Sequence, residues 1–290
     1  MRDGARYCRA MTTATAPPLL VVDGDSFAHR AFHALPSSIR RADRRPGNAL
    51  VGFTNMLVRL WEAEQPRAVL VGWDTLEVPT YRHEAFEGYQ AGRVFDPELL
   101  EQLSMLPEVV TALGFAVAKA AGFEADDFLA AAAAYEEKRG GSVVVATSDR
   151  DAFQLVSDRC VVLRPIRGVS VLERVGPERV RELYGVDPEQ VPDFIALRGD
   201  PSDRLPGARG VGPKTAADLL RRYRTLEDAL ADGRFESQRE ELRLFRRIAT
   251  LDASAPLPPL PNHTPKWAEA SRLVDSWGLG QLAGRLEERT

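Results

Sequence analysis

Residues 142–151 read SVVVATSDRD, an apolar run that is followed within a few residues by two aspartates, Asp149 and Asp151. A short run that stays apolar at every position is typical of a strand buried on both faces of a parallel sheet. Similar runs are LLVV at 19–22, AVLVGW at 68–73, FAVA at 115–118 and CVVL at 160–163. Amphipathic stretches lie between them, including residues 49–64 and 128–138. This alternation predicts an α/β fold with a mainly parallel central sheet flanked by helices.

The pattern changes after about Pro165, beyond which the sequence predicts no further strand. From Pro177 to Leu251 short helical patterns alternate with Gly and Pro turns, which predicts a separate helical domain. The stretch APLPPLPNHTP at 255–265 is typical of a polyproline spacer, ahead of a terminal helix from about Trp267. We therefore divide the chain into a disordered leader (1–18), an α/β domain (19–175), a helical domain (176–254) and a proline-rich linker with a terminal helix (255–290).

Some helix ends are signalled by single residues. Asp96, followed by Pro97 and Glu98, combines a capping residue, a first-turn proline and an acid at the positive end of a helix. Gly114 and Gly140 follow helical patterns at positions where a left-handed backbone ends a helix. We expect helices to begin or end at these points.

The composition excludes several classes of protein. The 290 residues are 44% hydrophobic, which suffices for a buried core without disulfide or metal support. No apolar run approaches the length of a membrane span, and the N-terminal stretch lacks the apolar segment of a secretory signal, so a membrane partner is excluded. Cys8 and Cys160 show no bridging pattern, and the expected setting is a reducing cytoplasm. The start of the chain is either Met1 or Met11.

Carboxylates fall at the ends of the predicted strands. Asp23 and Asp74 come directly after apolar runs, and Asp149 lies two residues beyond another. Ligands of open parallel sheets bind outside the carboxyl ends of the strands, so these acids should converge at one edge. Nine acids share this expected focus: Asp23, Asp74, Glu124, Asp126, Asp127, Asp149, Asp151, Asp200 and Asp203. Each acid alone is as easily explained as a helix cap or a turn residue.

The grouping of these acids predicts a metal centre. Like charges this close raise one another's pKa unless a cation neutralises them, and we expect no basic residue at the neighbouring strand ends to do so. Oxygen ligands favour Mg²⁺ or Mn²⁺, and the surplus of acids favours two ions, the arrangement used for phosphodiester hydrolysis. Setting the nine acids aside changes the net charge from −4 to +5, so the acidic composition does not exclude a nucleic-acid substrate.

Two further segments carry the types of residue that bind nucleic acids. Residues 205–216 place three glycines before Lys214 and a helix. This arrangement is suited to binding phosphate groups of nucleic acid independently of base sequence. An ordinary Gly-rich turn before a helix explains the pattern equally well. Residues 80–93 mix rings with cations, namely Tyr81, Arg82, His83, Phe86, Tyr89 and Arg93, as single-strand binding sites do. A solvated amphipathic helix is the alternative for this segment.

Five segments together resemble the 5′-nuclease domain of bacterial DNA polymerase I, the bacteriophage 5′-exonucleases and the flap endonucleases. They are VVDGDSFAHRAFHAL, YRHEAFEGYQAGR, GFEADD, TSDRDAFQLVSD and RGDPSDRLPGARGVGPKTAADLL, in an order and spacing similar to that family's. The resemblance implies a PIN-like α/β nuclease domain followed by a helical domain of helix-hairpin-helix type. It also implies a stand-alone metal-dependent 5′-3′ exonuclease and flap endonuclease that cuts branched, nicked or flapped DNA in replication and repair.

The resemblance also implies residue roles. One metal cluster would comprise Asp23, Asp74, Glu124 and Asp126, and the other Asp127, Asp149, Asp151, Asp200 and Asp203. An arch over residues 77–107 would admit the 5′ strand, with Tyr89 as a stacking platform and Arg93 as a phosphate contact. The hairpin would grip duplex DNA through Gly210, Gly212, Lys214 and Thr215, with K⁺ bound at 210–215.

The sequence departs from this family pattern at two positions. Gln90 stands where a lysine is usual, so we expect a catalytic cation to be replaced by Arg93, Arg30 or Arg82, or else slower turnover. Arg204 stands where an asparagine is usual, which either weakens the orientation of the neighbouring acid or adds a DNA contact.

Two other functions remain open at this point. A PIN-type ribonuclease has a similar α/β domain but lacks the Gly-Lys hairpin. A branch-binding protein without catalysis is suggested by Gln90, although the retained acids argue against it. The resemblance further implies cooperation in trans with a DNA polymerase and a ligase.

Overall fold

The computed structural model describes residues 16–76, 78–92, 94–167 and 171–290, and its centre is a six-stranded sheet. The strands are β1 (Leu19–Asp23), β2 (Ala68–Gly72), β3 (Ala116–Ala118), β4 (Val143–Ala146), β5 (Cys160–Arg167) and β6 (Val171–Val175), in the order β3-β2-β1-β4-β5-β6. The first five are parallel, as predicted, and β6 pairs antiparallel with β5.

The sixth strand contradicts the prediction that strands end near Pro165. The sequence VLERV in β6 is mostly exposed or half-buried and lies at the edge of the sheet. An edge strand of this kind carries charged side chains, so it lacks the continuous apolar run by which the other five were identified.

Helices cover both faces of the sheet and continue beyond it. They are α1 (Gly24–Ala34), α2 (Asn48–Glu64), α3 (Tyr81–Ala85), α4 (Pro97–Ala112), α5 (Ala125–Lys138), α6 (Pro177–Tyr184), α7 (Val191–Arg198), α8 (Pro213–Tyr223), α9 (Leu226–Ala231), α10 (Arg239–Ala249), α11 (Trp267–Ser276) and α12 (Gly280–Glu287). Short 3₁₀ turns occur at Asp151–Leu155, Pro188–Gln190 and Glu236–Gln238. None of the helices in these described ranges is long and apolar enough to span a bilayer.

The core has two parts, one on each side of the sheet. In β1, Leu19 and Val21 belong to the part shared with α5 and the helical domain, whereas Leu20 and Val22 belong to the part shared with α2 and α4. This alternation follows from the period of two along a strand. Both parts are buried, which explains why β1 is apolar at every position before Asp23.

The predicted start and ends of helices are confirmed. The Asp96 side chain accepts a hydrogen bond of 2.8 Å from the Glu98 backbone N–H at the start of α4. Gly114 and Gly140 follow α4 and α5 with φ of 77° and 79°, in the left-handed region. The predicted arch is corrected, however, because its second half, 97–107, belongs to α4, whose Leu99, Leu103 and Leu106 are buried in the core.

The C-terminal region packs back onto the α/β domain and is not a free spacer with a terminal helix. The His263 backbone N–H donates to the Arg67 carbonyl at 3.0 Å, and the Lys266 N–H donates to the Leu113 carbonyl at 3.0 Å. Trp267 then meets Trp61 of α2 edge to face. Two helices, α11 and α12, therefore complete the core on the face of α2 and α4.

Candidate metal centre

A cleft of about 770 Å³ lies at the carboxyl ends of the parallel strands. Eight of the nine predicted acids line it: Asp23, Asp74, Glu124, Asp126, Asp149, Asp151, Asp200 and Asp203. The topology accounts for this convergence, since β1, β2 and β4 are neighbours and end at the same edge. The sequence prediction of a single acidic focus is thus supported for these eight residues.

Asp23 ends β1 and begins α1. Its Oδ1 accepts a 2.9 Å hydrogen bond from the Ser26 N–H, and its Oδ2 accepts one of 2.6 Å from the Thr147 hydroxyl. Asp25, which the sequence analysis did not identify, is the ninth acid that lines the cleft, and it accepts a 2.8 Å hydrogen bond from the Asp74 N–H. Sequence reasoning missed Asp25, although its position two residues after Asp23 in VVDGDS was a usable signal.

Asp74 and Asp126 face the cleft from β2 and α5. The Asp74 Oδ1 accepts a 2.8 Å hydrogen bond from the Ala125 N–H, which joins the end of β2 to the start of α5. The Asp126 Oδ1 is buried and has no hydrogen-bond partner in the described chain. A buried carboxylate oxygen without a donor is costly unless a cation or another donor meets it.

The remaining acids come from the segment after β4 and from the turn after α7. The Asp149 Oδ1 accepts a 2.8 Å hydrogen bond from the Asp151 N–H, so the two acids are fixed relative to each other. Asp200 and Leu205 exchange backbone hydrogen bonds of 2.8 Å, which closes the turn that carries Asp203. The Arg198 guanidinium lies 3.2 Å from the Asp200 Oδ2.

Burial and mutual repulsion raise the pKa of several of these acids. Burial is the first cause for Asp23, whose pKa rises to about 7, and neighbouring Asp74 and Asp149 add to it. Burial, followed by the Asp149 charge, also raises the pKa of Asp126 and of Asp151 well above the usual range. Asp203, also mainly through burial, has a pKa of about 6. The cleft therefore favours a bound cation over several ionised, uncompensated acids.

The residues present fit divalent ions with oxygen ligands. The unpartnered Asp126 oxygen and the raised pKa values both indicate missing positive charge. Among the residues that the structure describes, no group of three or more His, Cys, Asp or Glu side chains is already arranged to hold a metal ion. Carboxylate oxygens are the donors that Mg²⁺ takes, usually together with several waters.

The raised pKa values predict a pH-dependent stability. Asp23 has an ordinary pKa near 3.8 and a folded pKa of about 7, so without metal its contribution is favourable at low pH and is lost as pH rises through 7. Ionised acids at pH 8 should gain most from Mg²⁺. We expect Mg²⁺, compared with EDTA, to raise the melting temperature by about 5 °C more at pH 8 than at pH 5. Equal Mg²⁺ effects at both pH values, measured by scanning calorimetry, would contradict the assignment.

Asp127, predicted as a metal ligand, does not line the cleft. It is fully buried, and its carboxylate accepts hydrogen bonds of 2.9 and 2.7 Å from the two terminal nitrogens of Arg82. The backbone N–H groups of Glu124 and Asp252 also donate to it, at 3.1 and 2.8 Å. With its oxygens used in this way, Asp127 is a structural acid, and we leave it out of the proposed metal centre.

Arg82, predicted as a catalytic cation, is 2% exposed and has the same structural role. In addition to its contact with Asp127, the Arg82 Nη1 lies 3.3 Å from the Glu124 Oε2. Its Nε donates to the Ile248 carbonyl near the end of α10. Although the sequence analysis expected no compensating basic residue at the strand ends, guanidinium groups from other elements offset three acids: Arg82 pairs with Glu124 and Asp127, and Arg198 pairs with Asp200. Lys119, directly after β3, also lowers the pKa of Asp25, against the larger effect of burial.

Tyr89, predicted as a stacking platform, is 4% exposed. Its hydroxyl donates to the Glu124 Oε2 at 2.9 Å, and its ring meets His83 edge to face. His83 accepts a 3.3 Å hydrogen bond from the Thr80 N–H and caps α3. The polar atoms of this segment bind α5, which is why the segment folds inward rather than lying in solvent.

Gln90 and Arg204 flank Asp203. The Gln90 Nε2 donates to the Asp203 Oδ1 and to the Tyr89 hydroxyl, both at 3.0 Å, so it orients an acid where a lysine was expected to meet substrate. Arg204 is exposed and has a φ of 57°. Its guanidinium group lies beside Gly92. Arg30 lines the cleft and its Nε donates to the Ser148 hydroxyl at 3.1 Å, whereas Arg93 lies outside the described residues.

The Gln90 contact predicts a change in metal requirement. We expect Gln90→Ala to raise the dissociation constant for Mg²⁺, measured by isothermal titration calorimetry, about tenfold, because partners behind metal ligands tune metal affinity by that order. Gln65→Ala is a matched control, since Gln65 has a similar φ of 46° but hydrogen-bonds only its own helix. An unchanged Mg²⁺ titration would show that Gln90 does not position Asp203.

The predicted hairpin joins α7 to α8. At Gly207 an added Cβ would lie 2.4 Å from the Gly199 backbone nitrogen, so only glycine permits this packing. Gly210 has φ of 73° and, like Gly212, open space around it. Lys214 and Thr215 are exposed in the first turn of α8. This first turn contains no acidic residue.

The sequence and the fold of this chain both match known proteins. Residues 18–185 match the family model for the 5′-3′ exonuclease N-terminal resolvase-like domain, and residues 186–269 match that for the 5′-3′ exonuclease C-terminal SAM fold. DNA polymerase I of Mycobacterium leprae is 47% identical over 215 residues, 73% of this chain and 24% of that protein. The thermostable DNA polymerase I of Thermus thermophilus is 39% identical over 250 residues, 82% of this chain and 29% of that protein. The chain thus spans about a quarter of these relatives.

Solved structures share the fold. A T5 5′-exonuclease with bound zinc superposes with a TM-score of 0.66 and 19% identity, covering 93% of this chain and 98% of that one. The catalytic core of Rad2 in complex with a DNA substrate gives a TM-score of 0.60 and 15% identity, covering 94% of this chain and 90% of that one. At these identities the likeness concerns the fold alone.

Proposed function

This chain belongs to the 5′-3′ exonuclease family, and from that premise we propose that it is a divalent-metal-dependent 5′-3′ exonuclease and flap endonuclease. Its substrates would be nicked, flapped or otherwise branched DNA in replication and repair. The observation that carries the proposal is the unpartnered Asp126 oxygen inside a cleft lined by nine acids. The matched C-terminal domain favours this function over a PIN-type ribonuclease, which lacks that part.

Two groups of acids would hold two Mg²⁺ or Mn²⁺ ions. After burial, the charges of Asp149, Asp23 and Asp74 raise the pKa of Asp126, and these four acids form one group. After burial, the charges of Asp149, Asp203 and Asp200 raise the pKa of Asp151, and these four acids form the other group. Asp149 belongs to both, as expected for a ligand between adjacent ions. Glu124, whose oxygens accept from Thr80 and Tyr89, would act through a water.

The two ions would supply a water of lowered pKa and positive charge for the scissile phosphate. The chain's own residues would hold the ions and orient the substrate phosphate. Asp23 and Asp74 keep their orientation through backbone and hydroxyl donors, so they need little rearrangement to accept a cation. Arg30 and the exposed Arg150, both in the cleft wall, would meet a substrate phosphate, whereas the guanidinium of Arg82 is already bound to Asp127 and Glu124.

The hairpin would grip duplex DNA by its backbone. Gly210 and Gly212 leave room for a phosphate next to the N-terminus of α8, and Lys214 adds a positive charge. A monovalent cation such as K⁺ at 210–215, and contacts from Thr215, Gln90 and Arg204, are parts of the same proposal.

Lys214→Ala should weaken binding of nicked DNA and reduce the slope of log affinity against log salt by about 1, because one phosphate contact is lost. Lys266→Ala, an exposed lysine at the start of α11, is the control. Fluorescence anisotropy between low and moderate salt measures both variants. An unchanged slope for Lys214→Ala would remove the hairpin from the DNA interface.

A gel assay tests the proposed activity. A 5′-labelled flap, a nicked duplex and a single-stranded RNA are incubated with the protein in Mg²⁺ or EDTA, and product lengths are read. We expect Mg²⁺-dependent cleavage of the two DNA substrates and none of the RNA. Cleavage of the RNA alone would support the ribonuclease, and tight flap binding without product would support a branch-binding protein.

The same proposal includes cooperation with the enzymes of DNA synthesis. The relatives carry this region within DNA polymerase I, which supports cooperation with a DNA polymerase and, after cleavage, a ligase. In a reconstituted nick-translation reaction with a polymerase lacking 5′ nuclease activity, adding this protein should increase the yield of ligated product. No increase would count against the cooperation.

A further inference from the structure

A second cavity, of about 630 Å³, lies between α2, α12 and the segment that follows α1. We call it the α2–α12 groove. Its floor is aliphatic: Met56 of α2 and Leu282 of α12 are nearly fully buried beneath it, and Val51, Leu279 and Ile39 extend it. No aromatic residue is among those that line it.

The rim of the groove is positively charged. Arg40, Arg59 and Arg285 line it, and no acid does. The Arg285 Nε donates only to its own helix, at the Gln281 carbonyl, and Arg40 only to the Arg44 carbonyl. None of the three forms an ion pair within the described ranges, whereas the nearby Arg41 and Arg45 both pair with Glu101.

This combination of groups restricts what the groove can bind. Unpaired guanidinium groups attract carboxylates or phosphates. Single-stranded nucleic acid, however, is held by stacking of bases on aromatic rings, and the groove offers none. A floor of aliphatic side chains between two helices instead suits an apolar side chain, and Met56 adapts to different shapes.

We propose that the α2–α12 groove is a docking site for an acidic peptide of a partner protein. One apolar side chain of the peptide occupies the aliphatic floor, and flanking carboxylates pair with Arg40, Arg59 and Arg285. The chain's own N-terminal segment does not fit, because residues 1–15 carry Arg2, Arg6 and Arg9 and only one acid. Charge complementarity therefore requires a partner.

The groove adjoins the metal cleft but shares no lining residue with it. Ala34, the last residue of α1, lines the cleft, and Leu35, the next residue, lines the groove. A peptide docked in the groove would thus hold the protein beside its partner without contacting the residues that line the cleft.

The test uses fluorescein-labelled peptides with five aspartates and one anchor, either Leu, Ile or Phe, in anisotropy titrations of the full chain. We expect at least one peptide to bind with Kd of about 10–100 μM. The double variant Arg59→Ser/Arg285→Ser should weaken binding at least about tenfold, since each lost pair removes a favourable contact. Arg272→Ser is the matched control, because Arg272 is exposed and hydrogen-bonds only its own helix. Cleavage of the flap substrate should be unchanged in both variants, which shows that they are folded.

Three peptide and oligonucleotide controls make the outcome decisive. Replacing the anchor by alanine, or the aspartates by asparagines, should each abolish binding. A labelled oligothymidylate serves as the nucleic-acid probe. The proposal is overturned if no anchored peptide binds below about 1 mM, if the double variant binds it as well as wild type, or if only the oligonucleotide binds in an Arg59- and Arg285-dependent manner.

Discussion

Asp151→Asn should reduce the rate of flap cleavage at saturating Mg²⁺ by at least about 10³-fold while DNA affinity changes less than about twofold. Asp151 is buried in the cleft wall, and its raised pKa, caused first by burial and then by the Asp149 charge, places it where positive charge is missing. Asparagine keeps the shape but removes the negative charge that a divalent ion requires. A loss of this size corresponds to about 4 kcal/mol of transition-state stabilisation, within the range of metal-ion catalysis.

The control for this variant is Asp218→Asn. Asp218 is an exposed aspartate of α8 whose carboxylate pairs only with Arg221, one turn away, and its replacement should leave cleavage unchanged. DNA affinity is measured in EDTA, so that binding and chemistry are separated. Cleavage by Asp151→Asn within about tenfold of wild type would remove it from the metal centre.

Arg82→Met should lower the free energy of unfolding by about 3–5 kcal/mol, because it leaves the Asp127 charge buried without its partner. For a chain of this size the melting temperature should fall by about 10 °C. The loss is large because Arg82 connects three parts of the molecule: α3, the acids at the start of α5, and the Ile248 carbonyl of α10. Urea unfolding monitored by circular dichroism measures the change.

Two variants distinguish the buried pair from an ordinary surface pair. Arg82→Met/Asp127→Leu should recover most of the lost stability, since apolar residues of similar size often replace buried ion pairs without loss. Arg243→Met, which breaks a half-exposed pair with Glu227, should cost no more than about 1 kcal/mol. A small effect of Arg82→Met would show that the pair does not hold the segment in place.

The sequence predicts those features that follow from local pattern and topology. Five parallel strands are recognisable because burial on both faces demands continuous apolar runs, and acids such as Asp23 and Asp74 converge because parallel strands end together. The half-exposed edge strand β6 carries no such run and was missed. Asp25 was missed because attention to strand ends passes over an acid in the first turn of the next helix.

The errors within the site have a common cause. Asp127 lies beside true cleft acids in sequence, and only packing shows that it faces Arg82, 45 positions away. Tyr89 and Gln90 carry the groups expected of a substrate contact, yet the segment folds onto Glu124 and Asp203 instead. Residue type and spacing indicate which chemistry is available, but the direction of a side chain depends on tertiary contacts that a local pattern does not contain.

Whether the cleft holds two divalent ions can be decided by anomalous diffraction from crystals grown with Mn²⁺. We expect two peaks about 4 Å apart, one among Asp23, Asp74, Asp126 and Asp149 and the other among Asp149, Asp151, Asp200 and Asp203, with none at Asp127. Crystals soaked at high Mn²⁺ in which this cleft shows no peak, or in which the ions are bound elsewhere, would contradict that expectation.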